Sequence, residues 1–226
     1  MSRTARNKPL REALQHHYRT IIWDWNGTLL DDVDISIAAT NMLLEERGLP
    51  LLDKKRYQEV FDFPVKDYYA RIGFDFSKYP FEIPGKQFMA NYKALSAQAR
   101  LNGEALSTLM QIRGLGCQQL MLSAMEDSLL KKMIADYGLT PYLDHVFGIA
   151  DDFANTKVYL GKRMVMQMNI DPRYTLMVGD TLHDAEVATE CGFDCVLFSG
   201  GHFLRKRLES SGRRVIDSLD ELIQDL

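Results

Sequence analysis

Short apolar runs alternate with helical patterns along most of this chain, and this alternation limits its possible folds more than any other feature. The apolar runs lie at residues 21–23, 120–122, 146–149, 175–178 and 195–198, and helical patterns lie at 129–137, 158–168 and 185–191. Strands that alternate with helices in this way are typical of a parallel sheet with helices on both faces. The sequence therefore predicts an α/β fold built on a Rossmann-like, doubly wound parallel sheet.

Residues at the ends of the helical patterns support this interpretation. Gly138 and Gly192 follow two of the patterns, at positions where glycine commonly ends a helix. Ser218 and Glu221 have the spacing of a capping box, which predicts one more helix at the end of the chain.

A helical insert interrupts the alternation after the first strand. Its predicted helices cover 35–47, 54–61, 65–72 and 87–99. The insert is rich in aromatic residues, which we expect to form the core of a small helical bundle rather than a ligand site. The predicted organisation is a basic N-terminal arm at 1–19, a core domain made of 20–33 and 101–226, and the helical insert at 34–100.

The composition favours a cytoplasmic chain that binds neither nucleic acid nor a membrane. The net charge of the 226 residues is −4, and no apolar run approaches the roughly 20 residues of a membrane helix. Three cysteines without a Cys-x-x-Cys pair fit a reducing compartment.

The first nineteen residues carry five basic residues and one acidic residue, which predicts a frayed arm, with an organelle-targeting peptide as the alternative. Both a monomer and a dimer are compatible with the sequence.

Polar residues follow four of the apolar runs, at the carboxyl ends of the predicted strands. They are Asp24, Ser123, the pair Asp151 and Asp152, and Asp180. Open parallel sheets bind ligands at this edge. Clustered carboxylates repel one another and call for a cation, and oxygen ligands together with a phosphate suit Mg²⁺. Gly27 lets the backbone approach a ligand closely, and N–H groups in such a turn can bind an anion.

In combination, these residues resemble the motifs of the haloacid dehalogenase (HAD) superfamily, over nearly all of the chain after residue 19. Residues 24–29, with the sequence Asp-Trp-Asn-Gly-Thr-Leu, resemble the first motif, and Ser123 matches the second. Lys157 matches the third, with Lys162 as a possible substitute, and residues 178–184 match the fourth. The helical insert lies where this superfamily carries a type-1 cap. Phosphoglycolate phosphatases are the subgroup that the chain most resembles.

The resemblance implies a role for each motif residue. Asp24 would attack phosphorus and form an aspartyl phosphate that water then cleaves, and Lys157 would be the second catalytic residue. The implied phosphate-binding residues are Asn26, Gly27, Ser123, Ala124 and Lys157. The implied Mg²⁺ ligands are Asp24, the backbone carbonyl of Asn26, Asp180 and Asp184, the last directly or through water. Residues 61–64 are expected to shape the leaving-group pocket around a small phosphorylated substrate.

Asn26 departs from the family pattern, because phosphatases of this type place there an aspartate that protonates the leaving group. An amide cannot titrate, and general acid–base help is typically worth about 10²–10⁴-fold in rate. The first hypothesis is therefore a phosphatase in which that acid is weakened or replaced, with His183 or Glu126 as substitute proton donors. Deamidation of Asn26 before Gly27 would restore an aspartate, and an introduced Asp-to-Asn change is a further explanation.

Two other hypotheses remain open from the sequence. A hydrolase of C–P bonds would need a cap lysine near the site, and Lys54, Lys55 and Lys66 are the candidates. A non-catalytic module would bind a phosphorylated ligand or a protein and would not need Asp24 as a nucleophile.

Overall fold

A computed structural model describes residues 18–149 and 156–226. Most of the predicted N-terminal arm, together with Asp151 and Asp152, lies outside the described residues. The strands are β1 (Thr20–Trp23), β2 (Leu30–Asp31), β3 (Arg100–Leu101), β4 (Gln118–Glu126), β5 (His145–Ile149), β6 (Thr175–Gly179), β7 (Asp194–Phe198) and β8 (Arg214–Ile216). The α-helices are α1 (Val33–Glu45), α2 (Lys54–Val60), α3 (Val65–Arg71), α4 (Glu82–Leu95), α5 (Ala105–Gly114), α6 (Asp127–Asp136), α7 (Lys157–Met168), α8 (Leu182–Cys191) and α9 (Arg205–Glu209).

Six of the strands form one parallel sheet in the order β5-β4-β1-β6-β7-β8. The central strand β1 is buried along its whole length. Ile21 and Trp23 face an apolar cluster that includes residues of α5 and α6, whereas Ile22 faces a second cluster with α7 and α8. Side chains that alternate between two apolar layers explain why the runs are continuously apolar, and they confirm the predicted doubly wound α/β fold.

The order of the strands places a crevice beside β1. The chain crosses from β1 to β4 on one side of that strand and later returns to β6 on its other side. Ligands bind in open sheets at such a switch point, outside the carboxyl ends of the strands. Residues that directly follow β1 and β6, together with the carboxyl-terminal half of β4, are therefore brought together.

The insert forms helices α1 to α4 and has an apolar cluster of its own. Tyr57, Tyr68 and Tyr69 belong to that cluster and are at most 2% exposed, but all three also line the cavity of the site, so the expected choice of a bundle core over a ligand site is wrong for these rings. Strands β2 and β3 pair antiparallel, so the chain enters and leaves the insert at neighbouring points. The first residue of α1 is Val33, and the insert bounds of 34–100 stay a prediction.

Several boundaries differ from those predicted. Helix α4 begins at Glu82 rather than at residue 87, because Pro84 and Gly85 resemble helix breakers but lie in its first turn, where proline is tolerated. Strand β8 and the β2–β3 pair were not predicted, since two or three residues are too few to show a period. The capping box at Ser218 is present, but the segment that it opens, Leu219–Asp225, is a 3₁₀ helix.

In the described ranges, 18–149 and 156–226, we find no helix of sufficient length and apolarity to span a bilayer.

Candidate functional site

Three neighbouring strands, β4, β1 and β6, place three of the predicted site residues at one end of the sheet. Asp24 directly follows β1, and its backbone N–H donates to the Val178 carbonyl of β6 at 2.9 Å. Asp180 directly follows β6. Ser123 lies inside β4 rather than after it, at a point where the pairing with β5 becomes irregular. All three side chains are buried.

Three buried carboxylates form the centre of the site. One oxygen each from Asp24, Asp180 and Asp184 lies within 4.8 Å of the others, so that the group could hold a metal ion. The ammonium of Lys157, the first residue of α7, donates to Asp24 and, at 2.6 Å, to Asp184. One cation against three carboxylates leaves an excess of negative charge, which favours a divalent cation.

The pKa values of these groups follow from burial and from their mutual charges. Burial raises the pKa of Asp24 to about 8, with a further increase from Asp184 and Asp180 and a decrease from Lys157. Burial also raises the pKa of Asp180, to about 6. Burial opposes ionisation of Asp184 as well, but the Lys157 ammonium and the Thr181 hydroxyl hold its pKa below the usual value. A bound cation would stabilise the charged form of all three acids.

Two glycines allow the backbone to pass against Asp180. A Cβ atom on either Gly27 or Gly201 would lie 2.2 Å from Asp180 Oδ2, and Gly27 has a φ of +73°. Because neither glycine has a side chain, the His202 N–H can donate to Asp180 Oδ2 at 2.6 Å. The Thr28 hydroxyl donates to Asp180 Oδ1 at 3.2 Å. These bonds hold the Asp180 carboxylate toward the cluster.

Asp184 belongs to the carboxylate cluster and also caps the N-terminus of α8. Thr181 is the N-cap of α8, and the side chains of Thr181 and Asp184 form a capping box. Asp184 Oδ2 accepts from the Thr181 hydroxyl at 2.7 Å and from the N–H groups of Thr181 and Asp180 at 3.0 and 3.2 Å. Its other oxygen accepts from Lys157, so both carboxylate oxygens already have donors.

Asn26 is bound to Asp32, a buried residue that the sequence analysis did not single out. The Asn26 amide nitrogen donates to Asp32 Oδ2 at 2.7 Å and to the Tyr92 hydroxyl at 2.8 Å. The Gly27 N–H, a predicted phosphate donor, donates to Asp32 Oδ1 at 2.8 Å in this structure. The Gly27 nitrogen would have to attack the Asn26 amide during deamidation, so its hydrogen bond to Asp32 disfavours that hypothesis.

His202 is a second site residue that the sequence analysis missed. Its Nε2 lies 3.3 Å from Asp32 Oδ1, and its Nδ1 lies 2.9 Å from the Tyr57 hydroxyl. Burial would lower the pKa of His202, but Asp32 outweighs it and raises the value to about 9. For Asp32, burial alone would raise the pKa, but the charge of His202 and hydrogen bonds from Tyr92 and Asn26 lower it below the usual value. The two residues thus form a buried ion pair.

A cavity of about 220 Å³ opens onto the carboxylate cluster. Its lining includes every predicted site residue except Gly27: Asp24, Asn26, Ser123, Ala124, Lys157, Asp180 and Asp184. His183, Glu126 and the predicted pocket residues Phe61 and Phe63 line it as well. Lys162 does not, since it forms an exposed pair with Glu190, and the geometry therefore favours Lys157 as the site lysine.

The three cap lysines that a C–P hydrolase would need do not line the cavity. Lys54 is exposed and lies 3.7 Å from Asp34. Lys66 lies over the ring of Phe76, and Lys55 is exposed on α2.

Comparison with known proteins identifies the family. Residues 21–198 match the family described as haloacid dehalogenase-like hydrolase, so this chain belongs to that family of hydrolases. The probable phosphatase IndB of Dickeya dadantii (strain 3937) is 22% identical over 210 residues, which cover 90% of this chain and 91% of that protein.

Solved structures show the same fold. A haloacid dehalogenase-like family hydrolase from Streptococcus pneumoniae superposes with a TM-score of 0.81 at 18% identity, covering 92% of this chain and 98% of that one. A structure described as a predicted phosphoglycolate phosphatase from Haemophilus somnus 129pt superposes with a TM-score of 0.73 at 14% identity, covering 93% and 98% of the two chains. At these identities, the likeness establishes the fold, and the activity has to be argued from the site.

Proposed function

We propose that this chain is a Mg²⁺-dependent phosphatase that cleaves a small phosphate ester through an aspartyl-phosphate intermediate. The observation that carries the proposal is the buried cluster of Asp24, Lys157, Asp180 and Asp184 in the lining of the cavity. The cluster combines a carboxylate nucleophile, a cation for phosphoryl oxygens and oxygen ligands for a metal. The proposal includes residues 34–100 as a cap over a core made of 20–33 and 101–226.

The chemical steps divide among these side chains. A carboxylate oxygen of Asp24 attacks phosphorus while the bond from phosphorus to the leaving oxygen breaks. Lys157 and Ser123 hold phosphoryl oxygens, and the Ala124 and Asn26 positions border the same space. Water then attacks the phosphorus of the aspartyl phosphate, releasing inorganic phosphate and restoring Asp24.

Mg²⁺ would be held by Asp24, Asp180 and the Asn26 backbone carbonyl, with Asp184 directly or through water. When bound, it supplies positive charge that neutralises the phosphoryl oxygens and the carboxylates. Its ligands fit an oxygen-binding cation, since the cluster contains carboxylates and neither cysteine nor histidine.

The leaving group needs a proton that Asn26 cannot supply. The Asn26 amide nitrogen is already bound to Asp32 and Tyr92. His183 lines the cavity and stays a candidate for the proton donor, whereas Glu126 is disfavoured, because a hydrogen bond from Ser128 holds its pKa below the usual value. The enzyme should therefore favour esters and acyl phosphates whose leaving groups are good without protonation.

Phosphate release from a series of substituted phenyl phosphates with Mg²⁺ tests this function. We expect turnover whose logarithm falls steeply as the pKa of the leaving phenol rises. Asp24→Asn should reduce the rate by several orders of magnitude. Asp171→Asn is the matched control, because Asp171 is an exposed carboxylate that pairs with Arg173.

Each alternative predicts a different result. Turnover that persists in Asp24→Asn, or a flat dependence on the leaving group, would contradict the proposal. An absence of turnover for every ester, with binding retained, would favour the non-catalytic module. The C–P hydrolase is disfavoured, because Lys54, Lys55 and Lys66 do not line the cavity.

A further inference from the structure

We propose that the cavity selects a phosphate ester whose leaving alcohol is uncharged and largely aromatic or apolar, with one neutral polar group that pairs with the Tyr68 hydroxyl. Alcohols that carry a carboxylate, such as the glycolate part of phosphoglycolate, are disfavoured. This inference rests on the proposed function and adds the substrate class to it. Three features of the described part of the cavity carry it: an aromatic wall, the lack of an available lysine or arginine, and a buried hydroxyl without a hydrogen-bond partner.

The insert contributes a large part of the cavity lining, and this part, the aromatic wall, is mostly aromatic. Its apolar members include Phe61, Phe63, Val65, Phe88 and Met89. The Phe61 ring packs edge-on against Phe63 and Tyr68, with centroids 5.5 and 5.1 Å away, so these rings hold one another in place. A fixed aromatic surface favours a planar or apolar ligand body over a small hydrated one.

No lysine or arginine of the described residues that line the cavity is available to a second anionic group. Lys157 is bound to Asp24 and Asp184, and His202 is bound to Asp32 and Tyr57. His183 lies 2.8 Å from Glu186 and stacks on Phe63. Residues 150–155 lie outside the described residues, but their sequence, Ala-Asp-Asp-Phe-Ala-Asn, contains no Lys, Arg or His.

Away from the cluster, Glu126 is a carboxylate of the lining without an ion-pair partner among the described residues, whereas the charge of Asp32 is balanced by His202. Glu126 and Asp32 both contribute to the lining. A ligand carboxylate would give up its hydration beside these groups without gaining a cation, which is unfavourable. This arrangement separates phosphoglycolate from neutral esters, although the two share the same phosphoryl end.

Tyr68 supplies a hydrogen-bonding group within the aromatic wall. Its side chain lines the cavity and is 1% exposed, and its hydroxyl has no hydrogen-bond partner among the described residues. The Thr40 hydroxyl lies near that of Tyr68 but donates its own hydrogen to the Ser36 carbonyl at 2.9 Å. Buried hydroxyl groups are normally paired, so a neutral polar atom of a ligand that reaches this hydroxyl past the surrounding rings is the expected partner.

A set of three phenyl phosphates tests the inference, because they differ only at the para position. The substituent is a carbamoyl group, which is neutral and polar, a methyl group, which is apolar, or a carboxylate. We expect kcat/KM with Mg²⁺ to be at least about tenfold higher for the carbamoyl ester than for the carboxylate ester. Comparison of the same ratios between variants cancels the intrinsic reactivity of each ester.

Two pairs of variants separate the polar contact from the charge effect. Tyr68→Phe should lower the carbamoyl-to-methyl ratio of kcat/KM by about tenfold, whereas Tyr79→Phe, a cap tyrosine that does not line the cavity, should not change it. Met89→Lys should raise the carboxylate-to-carbamoyl ratio, because it adds a cation to the lining. Met166→Lys makes the same change at a 74% exposed position outside the lining and should not.

The inference and the proposed function can fail separately. Turnover in which the carboxylate ester is the best substrate, or an unchanged ratio in Tyr68→Phe, overturns the inference and leaves the phosphatase intact. If no ester is turned over, the proposed function fails, and calorimetric binding of the same three esters decides the inference. Tighter binding of the carbamoyl ester then supports it, and equal or tighter binding of the carboxylate ester overturns it.

Discussion

The amide nitrogen of Asn26 lies 2.7 Å from Asp32 Oδ2, and this contact ties an unusual motif residue to a buried carboxylate. Asp32 is ionised at neutral pH, because His202 and its other donors hold its pKa below the usual value. An ionised carboxylate accepts a hydrogen bond and repels a second carboxylate. The environment of position 26 therefore suits asparagine better than the aspartate that the motif leads one to expect.

Asn26→Asp should consequently have two opposite effects. We expect faster hydrolysis of alkyl phosphates, by up to about 10²-fold, because the new carboxyl group can protonate the leaving oxygen. The same change places two carboxyl groups in contact and should lower the free energy of unfolding by about 1–3 kcal/mol. Steady-state rates on an alkyl phosphate and urea unfolding of the same preparation measure the two effects.

The double variant Asn26→Asp with Asp32→Asn is the control for this pair. It restores one amide and one carboxylate, so part of the lost stability should return, although the amide at position 32 pairs less well with His202. Equal stability of the single variant and the original protein would show that the contact between Asn26 and Asp32 is not important for folding.

The sequence was sufficient to predict five of the six strands of the parallel sheet, all except β8, and the acids that directly follow β1 and β6. Asp24 and Asp180 could be identified because a parallel sheet brings the ends of neighbouring strands together, wherever they lie in the chain. Lys157 was predicted from the motif order, and it lies in contact with Asp24 and Asp184, while its role stays a prediction.

The contacts among the residues that surround the carboxylate cluster could not be predicted in this way. Asn26 and Tyr92 are 66 residues apart, and Tyr57 and His202 are 145 residues apart. Their contacts depend on how the insert packs over the sheet, which local patterns do not determine. A weak signal existed for His202, since it follows Gly200 and Gly201 shortly after an apolar strand.

Lys157→Met should impair both activity and folding, because Lys157 is the ammonium within the carboxylate cluster. We expect kcat to fall by about 10²–10³-fold, since a donor to the phosphoryl oxygens is lost. Without metal, the free energy of unfolding should fall by about 3–5 kcal/mol, since breaking a buried ion pair leaves unpaired charge. Mg²⁺ should recover part of that stability but little of the rate.

Lys162→Met is the matched control, because Lys162 on α7 forms an exposed ion pair with Glu190 on α8. Its removal should change stability by less than about 1 kcal/mol and leave the rate unaltered. A larger loss of activity in Lys162→Met than in Lys157→Met would reverse the assignment of the site lysine.

The ion pair between His202 and Asp32 should make stability depend on pH. The pKa of His202 is raised from 6.5 to about 9 in the folded protein. A raised histidine pKa stabilises the fold fully below the unfolded value, and this contribution is lost as pH rises through the folded value. In EDTA, the stability advantage of the original protein over His202→Gln should therefore shrink by roughly 3 kcal/mol between pH 6.5 and 9.

Urea unfolding of both proteins across that range measures this difference. His145→Gln, at an exposed histidine on β5, is the control and should follow the original protein throughout. A constant difference between His202→Gln and the original protein at all pH values would show that His202 contributes through packing and not through its charge.

Mg²⁺ should raise the thermal stability of this protein through Asp180. An ion that binds only the folded state stabilises it by about 2.7 kcal/mol at a concentration one hundred times its dissociation constant. The effect should exceed that of Na⁺ at equal ionic strength, because three buried carboxylates converge within 4.8 Å. Asp180→Asn should abolish most of the shift, whereas Asp171→Asn, at an exposed carboxylate, should retain it. Thermal unfolding with and without EDTA checks this, and a full Mg²⁺ shift in Asp180→Asn would place the metal site elsewhere.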